Sequence, residues 1–233
     1  MATPGTLPRQ FIQELDILKQ NLLRMAEMAE TAVRKSVASV TTRNSELARE
    51  VITDDANINR LELDIEDQAF KLLALRQPLA TDLRLTVAAI RIVTELERIG
   101  DQAVNIAERA LELNSRPPLD LPIDLQFLAD LALGMVRTSI DAFVQQDPRL
   151  AVQVCQRDVE VDILDDEFTQ KILDTMIAES RWVTRLHHFI IIVRNLERIA
   201  DLATNIAEDI VFIIEGKVIK HRCEEWMSLA PPA

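Results

Sequence analysis

One phrase occurs twice in this chain, 100 residues apart. Leu96-Glu97-Arg98-Ile99-Gly100-Asp101 continues through Asn105-Ile106-Ala107-Glu108. Leu196-Glu197-Arg198-Ile199-Ala200-Asp201 continues through Asn205-Ile206-Ala207-Glu208. An amphipathic helix does not in general require Glu, Asp, Asn and Glu at the same four offsets in two places. The repeat therefore predicts a duplicated domain that carries a duplicated polar site.

The segments around the two phrases read as helices. Only 4 glycines, no tyrosine and 9 Phe plus Trp among 233 residues make a poor sheet composition and a good helical one. Apolar residues recur at i, i+3, i+4 and i+7 over roughly 8–41, 45–75, 81–114, 123–146, 148–178 and 181–215. Leu15, Leu18, Leu22, Met25 and Met28 show this in the first segment. Val154, Val161, Leu164, Phe168 and Leu173 show it in the fifth. None of the nine prolines interrupts a long periodic stretch. Asn44-Ser45 and Asp147-Pro148 read as helix starts, and Gly216 as a C-cap. Residues 115–122, with three prolines, read as a linker between a first domain at 8–114 and a second at 123–216; 217–233 is left as a tail. Short connections make neighbouring helices antiparallel, so the expected fold is all-α, two tandem three-helix bundles.

The formal charge of -12 excludes some function classes. No run of Lys and Arg exceeds two residues, so no nucleic-acid partner is expected; an acidic surface suits cations or basic protein patches. Cys155 and Cys223 stand alone without a CxxC spacing, which fits a reducing cytoplasm and no disulfide. Met1 to Pro8 has no apolar segment of the signal-peptide kind, and runs such as Phe189–Val193 and Ile210–Ile214 are too short to span a bilayer. A soluble cytoplasmic protein is the expectation, with peripheral membrane association left open.

Helix geometry gathers the acids. At about 100° per residue, with Glu97 at zero, Asp101 falls near about 40°, Asn105 near about 80° and Glu108 near about 20°. They form a strip bordering the apolar face that carries Val93, Leu96, Ile99, Ala103 and Ile106. The preceding helices also match between halves, at an offset of 103: Asp55-x-x-Ile58-Asn59-x-Leu61-Glu62 aligns with Asp158-x-x-Val161-Asp162-x-Leu164-Asp165. The first half thus holds three more residues around its hairpin. For antiparallel neighbours turning near residue 78, positions at equal height have numbers adding to 156, as Asn59 with Glu97 and Asp55 with Asp101 do. Asp162 with Glu197 and Asp158 with Asp201 both add to 359, placing the second turn at 179–180.

Each bundle thus sets an i,i+4 polar pair opposite an i,i+4 carboxylate pair. Clustered carboxylates repel, and their pKa values rise unless a cation sits among them. Oxygen donors in such a cluster suit Mg, Mn, Fe, Ca or Zn. The bland alternative is a solvated acidic edge with Arg98 and Arg198 as partners.

LERIGDQAVNIAE and LERIADLATNIAE resemble the paired signatures of the PhoU family, and Pro78-Leu79-Ala80-Thr81-Asp82-Leu83-Arg84 is similar to that family's loop before its third helix. The resemblance spans about residues 8 to 221. It implies two tandem three-helix bundles related by internal pseudo-two-fold symmetry, multinuclear clusters of iron and other cations at E(D)xxxD motifs, and no enzymatic activity. It further implies a negative regulator of the phosphate-starvation response that links the phosphate ABC transporter, through its ATPase subunit, to the sensor histidine kinase, and a homodimer. Carried over, one cluster would use Asp55, Glu97 and Asp101, with Asn59 where the pattern would allow Asp; the other would use Asp158, Asp162, Glu197 and Asp201. The amide of Asn59 lowers the charge of the first site, so it should bind metal more weakly. Iron, zinc, manganese and magnesium all remain open, as does the role of Asn105 and Asn205.

Two competing readings accompany this one. A carboxylate-bridged di-metal enzyme is disfavoured because no Glu-x-x-His occurs and the strips sit beside the apolar face. A purely structural helical scaffold would leave the doubled polar register without a purpose. His187 and His188 lie roughly 15 Å along the helix from Glu197 and read as ordinary polar or capping positions. Trp182 is expected to pack at the hairpin, and Gly100 against Ala200 suggests close helix packing at one shared position.

Overall fold

The computed structural model describes residues 9–216. Six helices follow in order: α1 (Arg9–Thr41), α2 (Ser45–Arg76), α3 (Ala80–Asn114), α4 (Leu125–Gln145), α5 (Pro148–Ala178) and α6 (Val183–Glu215), with a 3-10 turn at Ser180–Trp182 before α6. Among the described residues there is no strand. The starts and stops are chemical. The side chain of Asn44 accepts hydrogen bonds from the amides of Glu46 and Leu47 at the head of α2. Asp147 accepts from Arg149 N–H with Pro148 in the first turn of α5, and Asp124 caps α4 through Phe127 N–H. Gly216 ends α6 at φ 71°, and Gln77 and Gln146 end α2 and α4 in the same left-handed region.

The three additional residues of the first hairpin lengthen helices and not the loop. By the offsets of 103 and 100, α2 runs one residue further than α5, and α3 begins three residues earlier than α6. Only 77–79 separates α2 from α3, against 179–182 between α5 and α6, so both turns sit where the register placed them. Trp182 packs against the core edge there, with the guanidinium of Arg181 4.9 Å and that of Arg185 5.7 Å from its ring.

Helices α1, α2 and α3 pack on one another, and so do α4, α5 and α6. The bundles meet chiefly along α3 and α6, with a smaller contact of α1 on α4. One apolar core runs through both, including Leu18, Leu22, Met25, Ile65, Ile92, Leu96, Ile99, Leu128 and Met135. Across the seam Arg91 bonds Asp209 at 2.8 Å and lies over the Phe212 ring, Arg84 donates to Ile213 C=O at 2.9 Å, and Arg137 bonds Glu30 at 2.6 Å. Arg43 closes the end of α3 by donating to the carbonyls of Leu113, Asn114 and Arg116, orphan acceptors at a helix C-terminus.

Two expectations are corrected. Leu173 is 39% exposed; one residue earlier on the same helix, Ile172 is the buried member, because the 100° step carries position 173 off the stripe set by Val154, Val161 and Phe168. Cys155 is buried and disulfide-bonded instead of being a free thiol. Spacing along the chain says nothing of which cysteines a fold brings within bonding reach. Cys223, with His221, Trp226 and the Met1–Pro8 segment, lies outside the described residues. No described helix is long and apolar enough to cross a membrane.

Candidate functional site

At the first site α3 turns a glycine toward α2. A Cβ at Gly100 would stand 3.1 Å from Ile58 Cδ1 and 3.6 Å from Asp55 Oδ1. The bare backbone of α3 lets α2 approach until Asp55 lies over it. In the second bundle the same place is Ala200, fully buried, so α5 and α6 accommodate one methyl more.

Along this seam the acids stack as rungs between antiparallel helices. In the first bundle Asp55 feels the charge of Asp101, and Glu97 feels those of Asp101, Glu62 and Asp55. In the second, Asp158 feels Asp162 and Asp201, while Glu197 feels Asp201, Asp165 and Asp162. The structure thus brings Asp55, Glu97 and Asp101 into one electrostatic cluster, and Asp158, Asp162, Glu197 and Asp201 into another. Asn59 joins the first through its amide, which donates to Asp55 Oδ2 at 3.0 Å.

Glu62 and Asp165 belong to the clusters too, and were not among the residues singled out. Their signal was present, since each closes the aligned stretch on its helix. Asp165 is only 2% exposed, and its Oδ2 lies 2.8 Å from Arg194 Nη1. Glu62 is half-buried, and burial followed by the charges of Glu66 and Asp101 raises its pKa.

Burial turns out to outrank repulsion. Desolvation is the leading cause that pushes Glu97 and Glu197 each up to about 7 and Asp158 up to about 6, with neighbouring carboxylates adding to it. Desolvation likewise leads in raising Asp55, Asp165 and Asp201. Opposing it are the Asn59 hydrogen bond at Asp55, the Thr204 hydroxyl at Asp158, and the charges of Arg98 at Glu97, Arg194 at Asp165 and Glu197, and Arg198 at Asp201. The wheel had set the acids beside the apolar face; the packed neighbours half-cover Asp55, Glu97, Asp158 and Glu197 and leave Asp101, Asp162 and Asp201 exposed.

The arginines of the repeated phrase do not neutralise these acids by contact. Arg98 pairs with Glu95 at 3.3 Å, and among the described residues the cluster acids other than Asp165 form no ion pair. Within the clusters three side-chain oxygens are buried without a hydrogen-bond donor: Asp55 Oδ1, Asn59 Oδ1 and Asp165 Oδ1. A buried oxygen lacking a donor is costly, and hard cations take such donors, so the residues present fit a metal ion. As they stand, however, no group of three His, Cys, Asp or Glu side chains among the described residues is arranged to hold one.

Other members of the repeated phrase separate from the site. Asn205 donates to Glu95 at 3.4 Å, linking α6 to α3, and Glu108 accepts from Arg109 at 2.9 Å. Asn105 is exposed. His188 is not a cap: it sits mid-surface on α6 in a recess with Ile52, Glu108, Arg109 and Glu112. Burial first, then the Arg109 charge, lowers its pKa.

A family model described as the PhoU domain matches twice, over residues 22–110 and 125–210. A phosphate-specific transport system accessory protein PhoU homolog of Aquifex aeolicus is 37% identical over 213 residues, covering 91% of this chain and 96% of that protein. The like-named homolog of Caulobacter vibrioides is 37% identical over 210 residues, covering 90% and 91%. The crystal structure of PhoU from Pseudomonas aeruginosa superposes with a TM-score of 0.84 at 33% identity, over 89% of this chain and all of that one. The phosphate transport system regulatory protein PhoU from Streptococcus pneumoniae gives 0.82 at 26% identity, over 89% and 98%. With both halves matched, the chain belongs to the PhoU family.

Proposed function

We propose that this protein is an accessory regulator of a phosphate-specific transport system, and that it restrains phosphate uptake and the phosphate-starvation response. It acts as a metal-binding adaptor between the ATPase subunit of the transporter and a sensor histidine kinase, works as a homodimer in the cytoplasm, and catalyses no reaction. Near full-length identity to relatives named for that transport system supports the accessory role. The observation that carries the metal reading is the pair of acid ladders with donor-less buried oxygens at Asp55, Asn59 and Asp165.

In the first bundle Asp55, Asn59, Glu62, Glu97 and Asp101 would hold the metal. In the second, Asp158, Asp162, Asp165, Glu197 and Asp201 would. Iron, zinc, manganese or magnesium each suits such oxygen donors. A bound cation would supply charge that offsets the crowding of carboxylates. The chain's own part is to orient the donors: the Gly100 seam sets Asp55, and the Asn59 amide fixes one of its oxygens. Drawing the carboxylates onto an ion requires side-chain rotation on otherwise fixed helices.

The scaffold reading keeps one observation in its favour, the lack of a ready three-residue grouping among the described residues. The test of the adaptor is a pull-down of the full chain against the transporter ATPase and the kinase, with phosphate uptake measured in a deletion strain. Capture of both partners and restored control are expected; capture of neither, with uptake control unchanged by deletion, contradicts the proposal.

A further inference from the structure

The register that pairs Asp158 with Asp201 and Asp162 with Glu197 reaches one rung further. Asp165 and Arg194 also add to 359, and they meet at 2.8 Å. In the first bundle the corresponding rung is Glu62 and Thr94, whose numbers add to 156. The two ladders therefore differ at two rungs. The first has Asn59 where the second has Asp162, and Thr94 where the second has Arg194.

These differences cancel in formal charge. The first ladder carries four carboxylates, Asp55, Glu62, Glu97 and Asp101, and no base. The second carries five, Asp158, Asp162, Asp165, Glu197 and Asp201, less the one guanidinium of Arg194. Both therefore stand at a formal -4. Arg194 is not an ornament of the surface. Its side chain is half-exposed, but the carboxylate it holds is almost fully buried and keeps its second oxygen, Oδ1, without a donor.

We propose that Arg194 is a built-in counter-cation that sets the second ladder's affinity for metal, holding Asp165 Oδ2 so that only Oδ1 is free to serve as a donor. This rests on the reading of the ladders as cation sites. An ion entering the second ladder must share its field with a fixed positive charge one rung away, whereas the first ladder has at that rung the neutral Thr94, whose hydroxyl donates to Ile90 C=O; beyond that rung each ladder feels the arginine of its own repeated phrase, Arg98 at Glu97 and Arg198 at Asp201. The second ladder thus gains a carboxylate at Asp162 and gives back its effect at Arg194, which brings two chemically different sites toward similar affinity. Guanidinium remains charged at every working pH, so the restraint does not titrate.

The test uses the full-length protein stripped with a chelator and titrated with Mn²⁺, in a Glu97→Ala background that silences the first ladder. Arg194→Thr, which installs the first bundle's residue, should tighten Mn²⁺ binding on the order of tenfold, as loss of a nearby like charge predicts. Arg194→Lys keeps the charge and should stay near the parent. The reciprocal change, Thr94→Arg in a Glu197→Ala background, should weaken the first ladder by a similar factor; it remains informative if Arg194→Thr fails to fold around an unpaired Asp165. Unchanged or weaker binding in Arg194→Thr, or no weakening in Thr94→Arg, overturns the proposal while leaving the metal reading intact. Failure of the parent proteins to bind Mn²⁺ strikes the metal reading itself, and a Arg194→Thr variant equally unable to bind overturns both.

Discussion

The two bundles solve one problem with different residues. Each needs two long helices to approach closely while carrying carboxylates on the line of approach. The first relieves the strain by removing matter and charge: glycine at position 100, an amide at Asn59 and a hydroxyl at Thr94. The second keeps Ala200 and a full set of carboxylates, and neutralises one of them with Arg194. The repeated phrase is thus less a copy than a shared frame. What stays constant is the register of the rungs; what varies is the chemistry that makes each rung tolerable.

The sharpest way to break the comparison is at its tightest point. Replacing Gly100 with Leu forces a side chain into the space of Ile58 and Asp55, and should cost about 1–3 kcal/mol, toward the upper end, as overpacking does. Chemical denaturation measures it. Asn59→Asp gives the first ladder the second's additional carboxylate without the second's arginine. Its metal affinity should rise by about tenfold, or about 1.4 kcal/mol, with a loss of stability in the metal-free protein. Isothermal titration with Mn²⁺ reads the first effect and thermal unfolding in chelator the second. Ala200→Gly, the converse of the glycine change, should cost about 1 kcal/mol through helix propensity alone.

A further effect concerns pH. The carboxyls of Glu97 and Glu197 have folded pKa values near about 7, well above the ordinary 4.5. Between those values the folded protein holds more protons than the unfolded chain, so metal-free stability should fall as pH rises from about 4.5 to about 7 and level off above. The Glu97→Gln/Glu197→Gln variant should lose much of that slope in melting curves taken across the range; an unchanged slope would place the effect elsewhere. The least effect is expected from Arg98→Ala. Its pair with Glu95 is a surface one, and the change should stay within about 0.5 kcal/mol.

The fold was legible because helix ends and hairpin turns are written locally. Asn44, Asp147, Pro148 and Gly216 each act through neighbours a few residues away, and the pairing of Asp55 with Asp101 follows from antiparallel packing alone. The site was legible at its first two rungs for the same reason. The position of the third was legible by the same register, but not its burial, because that of Asp165 depends on how α5 settles against its neighbours and not on its position on a wheel. The role of Asn205 was hidden likewise: its contact with Glu95 exists only after the bundles dock. Leu173 fell outside the core because periodicity marks a stripe whose edges only packing can draw, and the disulfide of Cys155 is a tertiary fact without a local signature.

The central claim is that the acid ladders are metal sites. Elemental analysis of gently purified protein, wild type beside Glu97→Ala/Glu197→Ala, tests it most directly. Bound metal in the wild type that disappears from the folded double variant is the predicted result. A wild type with no metal, or a double variant that retains it in full, would contradict the account and recast the ladders as an acidic docking edge.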